Sequence, residues 1–481
     1  MKTTKELIKK HDNVFFIILI MIVISGIALI GEIMYKTDEI WNFQNVYKMY
    51  NGLQIYKDAN VIITPLFFYI GKFLFGVLGA NFLTFRIYNI AINTFLYFII
   101  YLIFKEMLNS KLKSLSYTLI IFIGCNTSVR TMSNYTSLAV ALFLLGTLLN
   151  LKEKGNFILN GIIIFLTFMC KQNVGVYYII ALILRIIFID KLKRKYIINF
   201  AKQIIIFTLL FVVYCIYLYL NHNLYNFISY CFLGINEFKE NFGFETCTVI
   251  PTIICIITII LLRIALIKNK KNVGEKIKKI ECFSIMLLLI GYPIFNEYHL
   301  GMGRILIYVE LLIIFDKIML SEIISKRNFL ILTSCLLLLL ITISTNHFIT
   351  YLKYIYSNNY DYKVYYGGIL DNEIKEDIKQ IIEFKESNNK TTIVFGNKAA
   401  FYNIVTNESY GAMDLPFLGN FGAKGENGMI EQLENLKETT ILLEKNESDL
   451  SYQESLKIRN WIKEHFNLVG EIGRYYIYET E

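Results

Sequence analysis

The chain has 481 residues, of which 55% are hydrophobic and 18% charged, and its mean hydropathy is +0.48. So few charged residues could not cover that much apolar surface in a soluble protein of this size, which excludes an ordinary soluble globular fold. The formal charge of +9 does not indicate nucleic acid, because the basic residues lie in short runs between apolar stretches. Such runs are typical of topology signals and contacts with membrane lipids.

Apolar stretches long enough to cross about 30 Å of hydrocarbon recur along most of the chain. The first follows a basic N-terminus, as in a signal peptide. It is about 20 residues long and lacks a small-residue cleavage pattern, so we expect it to remain as a helix. About 11 crossings are predicted in all. They fall near 14–34, 82–104, 114–130, 133–151, 156–170, 173–190, 197–221, 247–267, 280–295, 301–319 and 328–348.

The basic residues between these stretches indicate which loops are cytoplasmic. With the N-terminus inside, the segments on that side carry 22 lysines and arginines, against about nine on the other side. Cytoplasmic loops of membrane proteins carry such an excess. We therefore predict a multi-pass protein of the cell (plasma) membrane with a cytoplasmic N-terminus.

Residues 61–79, VIITPLFFYIGKFLFGVLG, form one further apolar segment. Counting it as a crossing would invert every later loop and place the basic runs outside. We therefore interpret it as a juxtamembrane or re-entrant helix against the outer face. Pro65 suits its first turn, and Lys72 can extend its ammonium to the interface. The first outer loop then spans 35–81.

The composition changes after residue 348, where apolar runs shorten and Glu, Asp and Asn become frequent. Helix-like DNEIKEDIKQIIEFKES and SYQESLKIRNWIKEHF accompany strand-like TTIVFG, ETTILLEK, NLVGEI and RYYIYE, which predicts a small α/β domain. An odd number of crossings places this domain outside. The predicted fold is thus mainly α. It comprises a polytopic transmembrane helical bundle over 1–348, with about 11 spans plus a juxtamembrane helix, and a small C-terminal extracytoplasmic α/β domain over 349–481.

An acidic pair, Asp38-Glu39, follows the first apolar stretch directly, at the level of the outer interface. Acids at the exit of a membrane helix are often simply solvated. The alternative is a carboxylate that acts as general base on an acceptor hydroxyl or that holds an ion. Position alone leaves both interpretations open.

The segments that follow the pair come in a characteristic order. A stretch ending in YNG precedes TPLFFYIGKFLFGVLG and then NFLTFRIYNIAINT, which opens the second span. This order resembles the GT-C glycosyltransferases, in particular bacterial relatives of the protein O-mannosyltransferases (glycosyltransferase family 39) and of the lipid A aminoarabinose transferase. The resemblance implies catalytic roles for Asp38 and Glu39, and structural or substrate-loop roles for Pro65, Tyr69 and Arg86. The matching positions are Asp38, Glu39, Pro65, Leu66, Tyr69, Gly79 and Arg86.

Two later segments extend the resemblance. In FLTFMCKQNVG, Lys171 stands in the lysine position of the family's Leu-x-x-Leu-Thr-Lys-Gly-Pro element, with Gln172-Asn173 in place of Gly-Pro. GYPIFNEYHLGMGR is similar to a Tyr-Pro…His segment of some bacterial members. The likeness covers about the first 190 residues and 291–304, and it depends on the order of the motifs more than on any one of them.

The chain departs from relatives of the aminoarabinose type at two cations that bind phosphate. They carry Arg where this chain has Trp41, and Lys where it has Thr64. The donor phosphate would then need other basic groups on the outer side, although cations near a bilayer surface also serve lipid headgroups. The candidates are Lys171, Arg304, His299 and Arg130.

The sequence gives little indication of a cofactor. Asn296, Glu297 and His299 are residue types that bind divalent cations, so a metal requirement stays open. The sequence contains no DxD motif, no Walker loop and no GxSxG elbow. No other cofactor is predicted.

Together the residues and the resemblance predict a glycosyltransferase that moves a hexosyl or pentosyl group from a polyprenyl-phosphate carrier to an envelope acceptor, with inversion and with Asp38 as general base. The partners are the lipid-linked donor, membrane lipids and an acceptor lipid, polysaccharide or protein, with no nucleic acid. Two alternatives remain: a transporter or flippase of lipid-linked intermediates, and a polysaccharide polymerase.

Overall fold

The structure is a computed structural model. It describes residues 16–26, 29, 34, 37–125, 134–152, 156–235, 246–268, 274–292, 297–317, 327–328, 330–338, 349, 352–353, 362–396, 398–414, 418–445 and 455–480.

The described chain is mainly helical, as the hydropathy pattern predicts. The helices preceding the C-terminal region, in chain order, are α1 (Phe16–Gly26), α2 (Thr37–Tyr50), α3 (Leu66–Leu78), α4 (Phe82–Leu108), α5 (Lys111–Gly124), α6 (Tyr135–Lys152), α7 (Phe157–Cys170), α8 (Gln172–Phe188), α9 (Arg194–Leu220), α10 (Leu224–Ile228, continued by a π turn, Ser229–Leu233), α11 (Thr246–Lys268), α12 (Glu275–Leu288, continued by a 3-10 turn, Leu289–Gly291) and α13 (Glu297–Phe315). Residues 330–338 are also helical.

Four helices among the described residues are long and apolar enough to cross a membrane, namely α4, α6, α9 and α13. Among the described residues, shorter apolar helices lie at four of the other predicted crossings, namely Phe16–Gly26, Phe157–Cys170, Gln172–Phe188 and Val249–Ile264. The number of crossings therefore stays a prediction. Helix α3 has 13 residues and begins directly after Pro65. At 1.5 Å per residue it extends about 20 Å, less than the roughly 30 Å of hydrocarbon, and its juxtamembrane or re-entrant placement stays a prediction.

The chain divides into two compact units. The first comprises 1–32, 86–212 and 243–356. In it α7 packs on α6 and α8, while α12 packs on α8 and α13. Gly175 permits the α7–α8 approach, because a Cβ there would lie 2.4 Å from Phe168 Cα. The glycine therefore sets how closely these two helices pack.

The second unit comprises 33–85, 213–242 and 357–481. Helix α2 packs on α3 through aromatic side chains. The Phe43 ring lies 5.7 Å from Phe75 and 5.2 Å from Phe82, both edge-on, which is the favoured geometry for aromatic pairs. This packing fixes the helix on which the acidic pair is carried.

A small four-stranded sheet forms where the sequence predicts strands. Its strands are β1 (Thr391–Phe395), β2 (Thr439–Glu444), β3 (Asn467–Ile472) and β4 (Tyr475–Glu479), and the helices of this region are α14 (Asn372–Ser387), α15 (Ala399–Thr406), α16 (Gly425–Glu434) and α17 (Leu456–His465). The strand order is β1-β2-β4-β3, with β1 parallel to β2 and the other neighbours antiparallel. Ile393 and Ile441 pair across β1 and β2 and share a core with Ile458 and Ile462 of α17.

Candidate functional site

The acidic pair occupies the first turn of α2. Asp38 is exposed, whereas Glu39 is buried with 9% of its surface accessible. Successive residues of a helix point about 100° apart, which is why the two carboxylates face different surroundings. Acids in a first turn also interact favourably with the helix dipole. The exposed carboxylate of Asp38 is therefore the one that can meet a substrate from solvent.

Helix α2 is anchored at its other end by a buried ion pair. Lys48 forms a salt bridge with Asp414, and the two residues are 2% and 5% exposed. Asp414 also accepts hydrogen bonds from Asn403 Nδ2 at 3.0 Å, from the Tyr410 backbone N–H at 3.0 Å and from Ser409 Oγ at 3.1 Å. These partners satisfy a carboxylate that would be costly to bury alone. Sequence reasoning missed this pair, since nothing local to either residue signals a partner 366 positions away.

Burial lowers the pKa of Lys48, and the charge and hydrogen bond of Asp414 oppose that effect. A second lysine of this unit, Lys385, has the same pattern: burial lowers its pKa while its bond to Glu408 raises it. In both lysines a neighbouring carboxylate thus offsets part of the effect of burial on the pKa.

Two of the three residues expected to have structural or substrate-loop roles, Pro65 and Tyr69, lie in the second unit. Pro65 is buried directly before α3, and Tyr69 forms hydrogen bonds with Tyr214 and Tyr217. Trp41, where aminoarabinose-type relatives carry Arg, is 6% exposed and meets the Phe68 ring edge-on at 6.1 Å. The cation of those relatives is thus replaced here by an aromatic core contact.

Lys171 lies between α7 and α8 in the first unit. Its Nζ donates to Thr136 Oγ1 at 3.0 Å and lies 5.4 Å from the centre of the Tyr135 ring. The residue is 8% exposed and interacts electrostatically with His299. A lysine directly before the N-terminus of a helix adds its charge to the positive end of the helix dipole, which suits a phosphate.

Helix α13 carries two more of the predicted cationic positions. His299 lies in its first turn and contacts the Tyr298 ring edge-on at 5.5 Å. Arg304 is 2% exposed, and its Nε donates to the Leu300 carbonyl at 3.2 Å. The structure thus brings Lys171 and His299 together and places Arg304 farther along the same helix.

Two further arginines were singled out by the sequence, Arg86 and Arg130. Arg86 is 1% exposed and its Nη1 donates to the Leu29 carbonyl, so it joins the start of α4 to the chain that follows α1. Its structural or substrate-loop role stays a prediction. Arg130 lies outside the described residues.

No group of three His, Cys, Asp or Glu side chains that could hold a metal occurs in the part of the chain that the structure describes. Glu297 is exposed at the start of α13, and Asn296 lies outside the described residues. The metal requirement therefore stays open.

The described residues thus combine four helices that are long and apolar enough to cross a membrane, the short helix α3 and a small four-stranded sheet. No protein-family model and no curated protein sequence matches the chain. Two crystal structures of ArnT from Cupriavidus metallidurans do match in fold. The apo structure has a TM-score of 0.57 and 9% identity, covering 97% of this chain and 97% of that chain. The structure bound to undecaprenyl phosphate has a TM-score of 0.57 and 8% identity, covering 97% and 98%.

This likeness agrees with the mainly helical fold with a small sheet that the sequence predicts, whereas the number of spans and the domain bounds stay predictions. It extends over nearly the whole chain, including the C-terminal region where the sequence offers no family motif. At such low identity it shows the fold alone.

Proposed function

We propose that this protein is an integral membrane glycosyltransferase that moves a sugar from a polyprenyl-phosphate carrier to an acceptor on the outer face of the membrane. The observation that carries the proposal is the likeness of 97% of the chain to the aminoarabinose transferase fold, which in one structure holds undecaprenyl phosphate. The acceptor is an envelope lipid, polysaccharide or protein, and the sugar is a hexose or pentose.

The membrane placement suits such a donor. An isoprenoid chain needs an apolar environment, whereas its sugar and phosphate need polar groups, and a site at the membrane interface offers both. The apolar helices and the polar first outer loop of this chain supply the two environments.

In the proposed step, the oxygen of an acceptor hydroxyl attacks the anomeric carbon of the donor. Its proton passes to the carboxylate of Asp38, and the bond between the anomeric carbon and the phosphate oxygen breaks, so that polyprenyl phosphate leaves. Direct displacement inverts the configuration at the anomeric carbon. The exposure of Asp38 at the first turn of α2 supports this role, since a general base must reach its substrate. Glu39 would position this end of the helix.

The leaving phosphate carries growing negative charge, which fixed cations stabilise. Lys171 is the leading candidate because Thr136 and Tyr135 hold its ammonium in one place. His299 interacts electrostatically with Lys171, and we propose that it donates a hydrogen bond to the same phosphate through a ring N–H. Arg304 and Arg130 complete the set of proposed phosphate-binding residues.

The test is transfer from radiolabelled polyprenyl-phosphate sugars to membrane extract by the purified protein. We expect Asp38→Asn to slow transfer about 10²- to 10⁴-fold with normal insertion and abundance. Asp58→Asn is the matched control from the same loop, since the Asp58 carboxylate accepts from the Gln54 backbone N–H at 2.8 Å. We expect that control to stay within a few-fold of wild type.

Near-normal transfer by Asp38→Asn would overturn the base assignment. The same labelled donor separates the two alternative functions. A transporter or flippase would move the lipid-linked sugar across the membrane of a vesicle without transferring the sugar to an acceptor. A polysaccharide polymerase would make products whose length increases with turnover.

A further inference from the structure

A polar cavity of about 130 Å³ lies among α6, α7, α8 and α9 of the first unit. One water needs only about 10–15 Å³ by the same measure, so the cavity has room for a larger polar group. Its lining includes basic, acidic and amide side chains, among them Asn150, Asn160, Arg185, Asp190, Lys195 and Gln203.

Two of the amides present unused acceptors. Asn160 Oδ1 and Gln203 Oε1 accept no hydrogen bond from any described residue, although the residues are only 5% and 8% exposed. Buried polar atoms are nearly always satisfied, because leaving one unpaired is costly. A ligand with two hydroxyl groups could donate one hydrogen bond to each of these oxygens.

The basic residues give the cavity a net positive charge. Arg185 is held in place, since its Nη1 donates to Asn150 Oδ1 and its Nε lies 3.1 Å from Asp190 Oδ2. The Tyr196 ring lies 5.6 Å from the guanidinium carbon. Asp190 balances one cation, and Lys195 is exposed and adds another. A fixed guanidinium beside a flexible ammonium favours a phosphate group.

Helix α9 connects the cavity to an apolar surface. Lys195, Asn199 and Gln203 line the cavity at four-residue spacing, so they share one face of this helix. Other positions on it are exposed and apolar, with Ile205 at 56% and Leu209 at 58%. An amphiphile with its polar end in the cavity therefore finds apolar surface on the same helix.

We propose that this cavity binds the headgroup of an anionic phospholipid that carries hydroxyl groups, of the phosphatidylglycerol type. Arg185 and Lys195 bind the phosphodiester, the glycerol hydroxyls donate to Asn160 Oδ1 and Gln203 Oε1, and the acyl chains follow α9. An ammonium headgroup would add positive charge to a cavity that is already positive. The site shares no residue with the proposed donor-phosphate site, so this inference does not depend on the transferase activity.

The experiment titrates the purified, delipidated full chain in detergent with phosphatidylglycerol, phosphatidylethanolamine or inorganic phosphate. Bound lipid is counted by native mass spectrometry, and the thermal unfolding temperature is followed in parallel. We expect phosphatidylglycerol to bind saturably at one high-affinity site, at least tenfold more tightly than phosphatidylethanolamine. Inorganic phosphate alone should not raise the unfolding temperature to the same extent.

Lys195→Ala should weaken phosphatidylglycerol binding about tenfold, as for the loss of one charge-assisted hydrogen bond. Lys193→Ala is the matched control, because Lys193 is exposed in the same connection and does not line the cavity. Since both lysines are exposed, neither variant should fail to fold. Gln203→Leu should reduce the preference for phosphatidylglycerol over phosphatidylethanolamine.

Equal binding of the two lipids by the wild type would overturn the proposal, as would equal behaviour of Lys195→Ala and Lys193→Ala. Full protection by inorganic phosphate alone would assign a free-anion site and overturn the lipid assignment.

Discussion

Lys48 and Asp414 form a buried salt bridge that ties α2, the helix of the Asp38-Glu39 pair, to the C-terminal region of the chain. Lys48 lies in the last turn of α2 and Asp414 ends a 3-10 turn, Gly411–Asp414. Asn403 of α15 binds the same carboxylate. The position of α2 therefore depends on contacts made more than 300 residues away in the sequence.

Removing one partner of this pair should destabilise the protein. Asp414→Asn keeps the side-chain shape but leaves the Lys48 ammonium buried without its counter-charge, which costs about 3–5 kcal/mol for a buried pair. We expect a clear fall in the thermal unfolding temperature of the purified protein in detergent. The control is Glu431→Gln, which breaks the exposed Lys424–Glu431 pair and should change little. Equal unfolding temperatures for both variants would contradict the buried pair.

The lowered pKa of Lys48 predicts that the stability of the protein depends on pH. Burial lowers the pKa of Lys48 below its usual 10.5, so the unfolded chain holds this proton more tightly than the folded one. Its contribution to stability is therefore fully present above pH 10.5 and is lost as the pH falls through the lowered folded-state pKa. We expect wild type to gain stability relative to the double variant Lys48→Met/Asp414→Leu as the pH rises from 7 toward 10.5. A constant difference in unfolding temperature across that range would contradict the lowered pKa.

Lys171 offers a test of the proposed phosphate site. Lys171→Gln should reduce kcat about 10²- to 10³-fold with a polyprenyl-phosphate sugar, because a fixed charge opposite the leaving phosphate is lost. Lys171→Arg should restore part of the activity. Thr136→Val removes only the hydroxyl that holds the ammonium and should have a smaller effect.

Lys152→Gln is the matched control for that measurement, since Lys152 is exposed at the end of α6. If Lys171→Gln retained wild-type kcat and KM, its ammonium would have only a structural role beside Thr136 and Tyr135.

The close approach of α7 and α8 is testable with one methyl group. A Cβ at Gly175 would lie 2.4 Å from the Phe168 backbone, so Gly175→Ala must push the helices apart. We expect a loss of about 1–3 kcal/mol, typical of overpacking. Gly76→Ala in α3 is the control, because a Cβ there meets nothing within 4 Å and alanine favours a helix. A thermal unfolding temperature for Gly175→Ala as high as that of Gly76→Ala would contradict the packing.

The C-terminal region illustrates how much local sequence predicts. The short apolar runs in TTIVFG and ETTILLEK predict strands, and these segments form β1 and β2. The amphipathic stretch DNEIKEDIKQIIEFKES forms α14. What the pattern could not predict is that β1 and β2 pair in parallel while β4 lies between β2 and β3, since strand order depends on long-range pairing.

For the candidate site residues, too, the sequence predicts identity and the structure adds their surroundings. The order of motifs after the first apolar stretch pointed to Asp38 and Lys171, and it showed that Trp41 departs from the resemblance. Only the structure showed that Asp38 is exposed and Glu39 buried, and that Trp41 packs on Phe68. Those properties depend on which face of α2 meets its neighbours.

Hydropathy alone predicts a multi-pass membrane protein, and local patterns locate many of its helices and strands and indicate the candidate acids and cations. Hydropathy and periodicity are local properties, so they can be read from short windows of the chain. Three features follow only from the folded chain, namely the pairing of Lys48 with Asp414, the contact of Lys171 with Thr136, and the cavity lined by Asn160 and Gln203. Each of these joins residues that are distant in the sequence, and burial gives them their energetic weight because water no longer competes for their charges and hydrogen bonds.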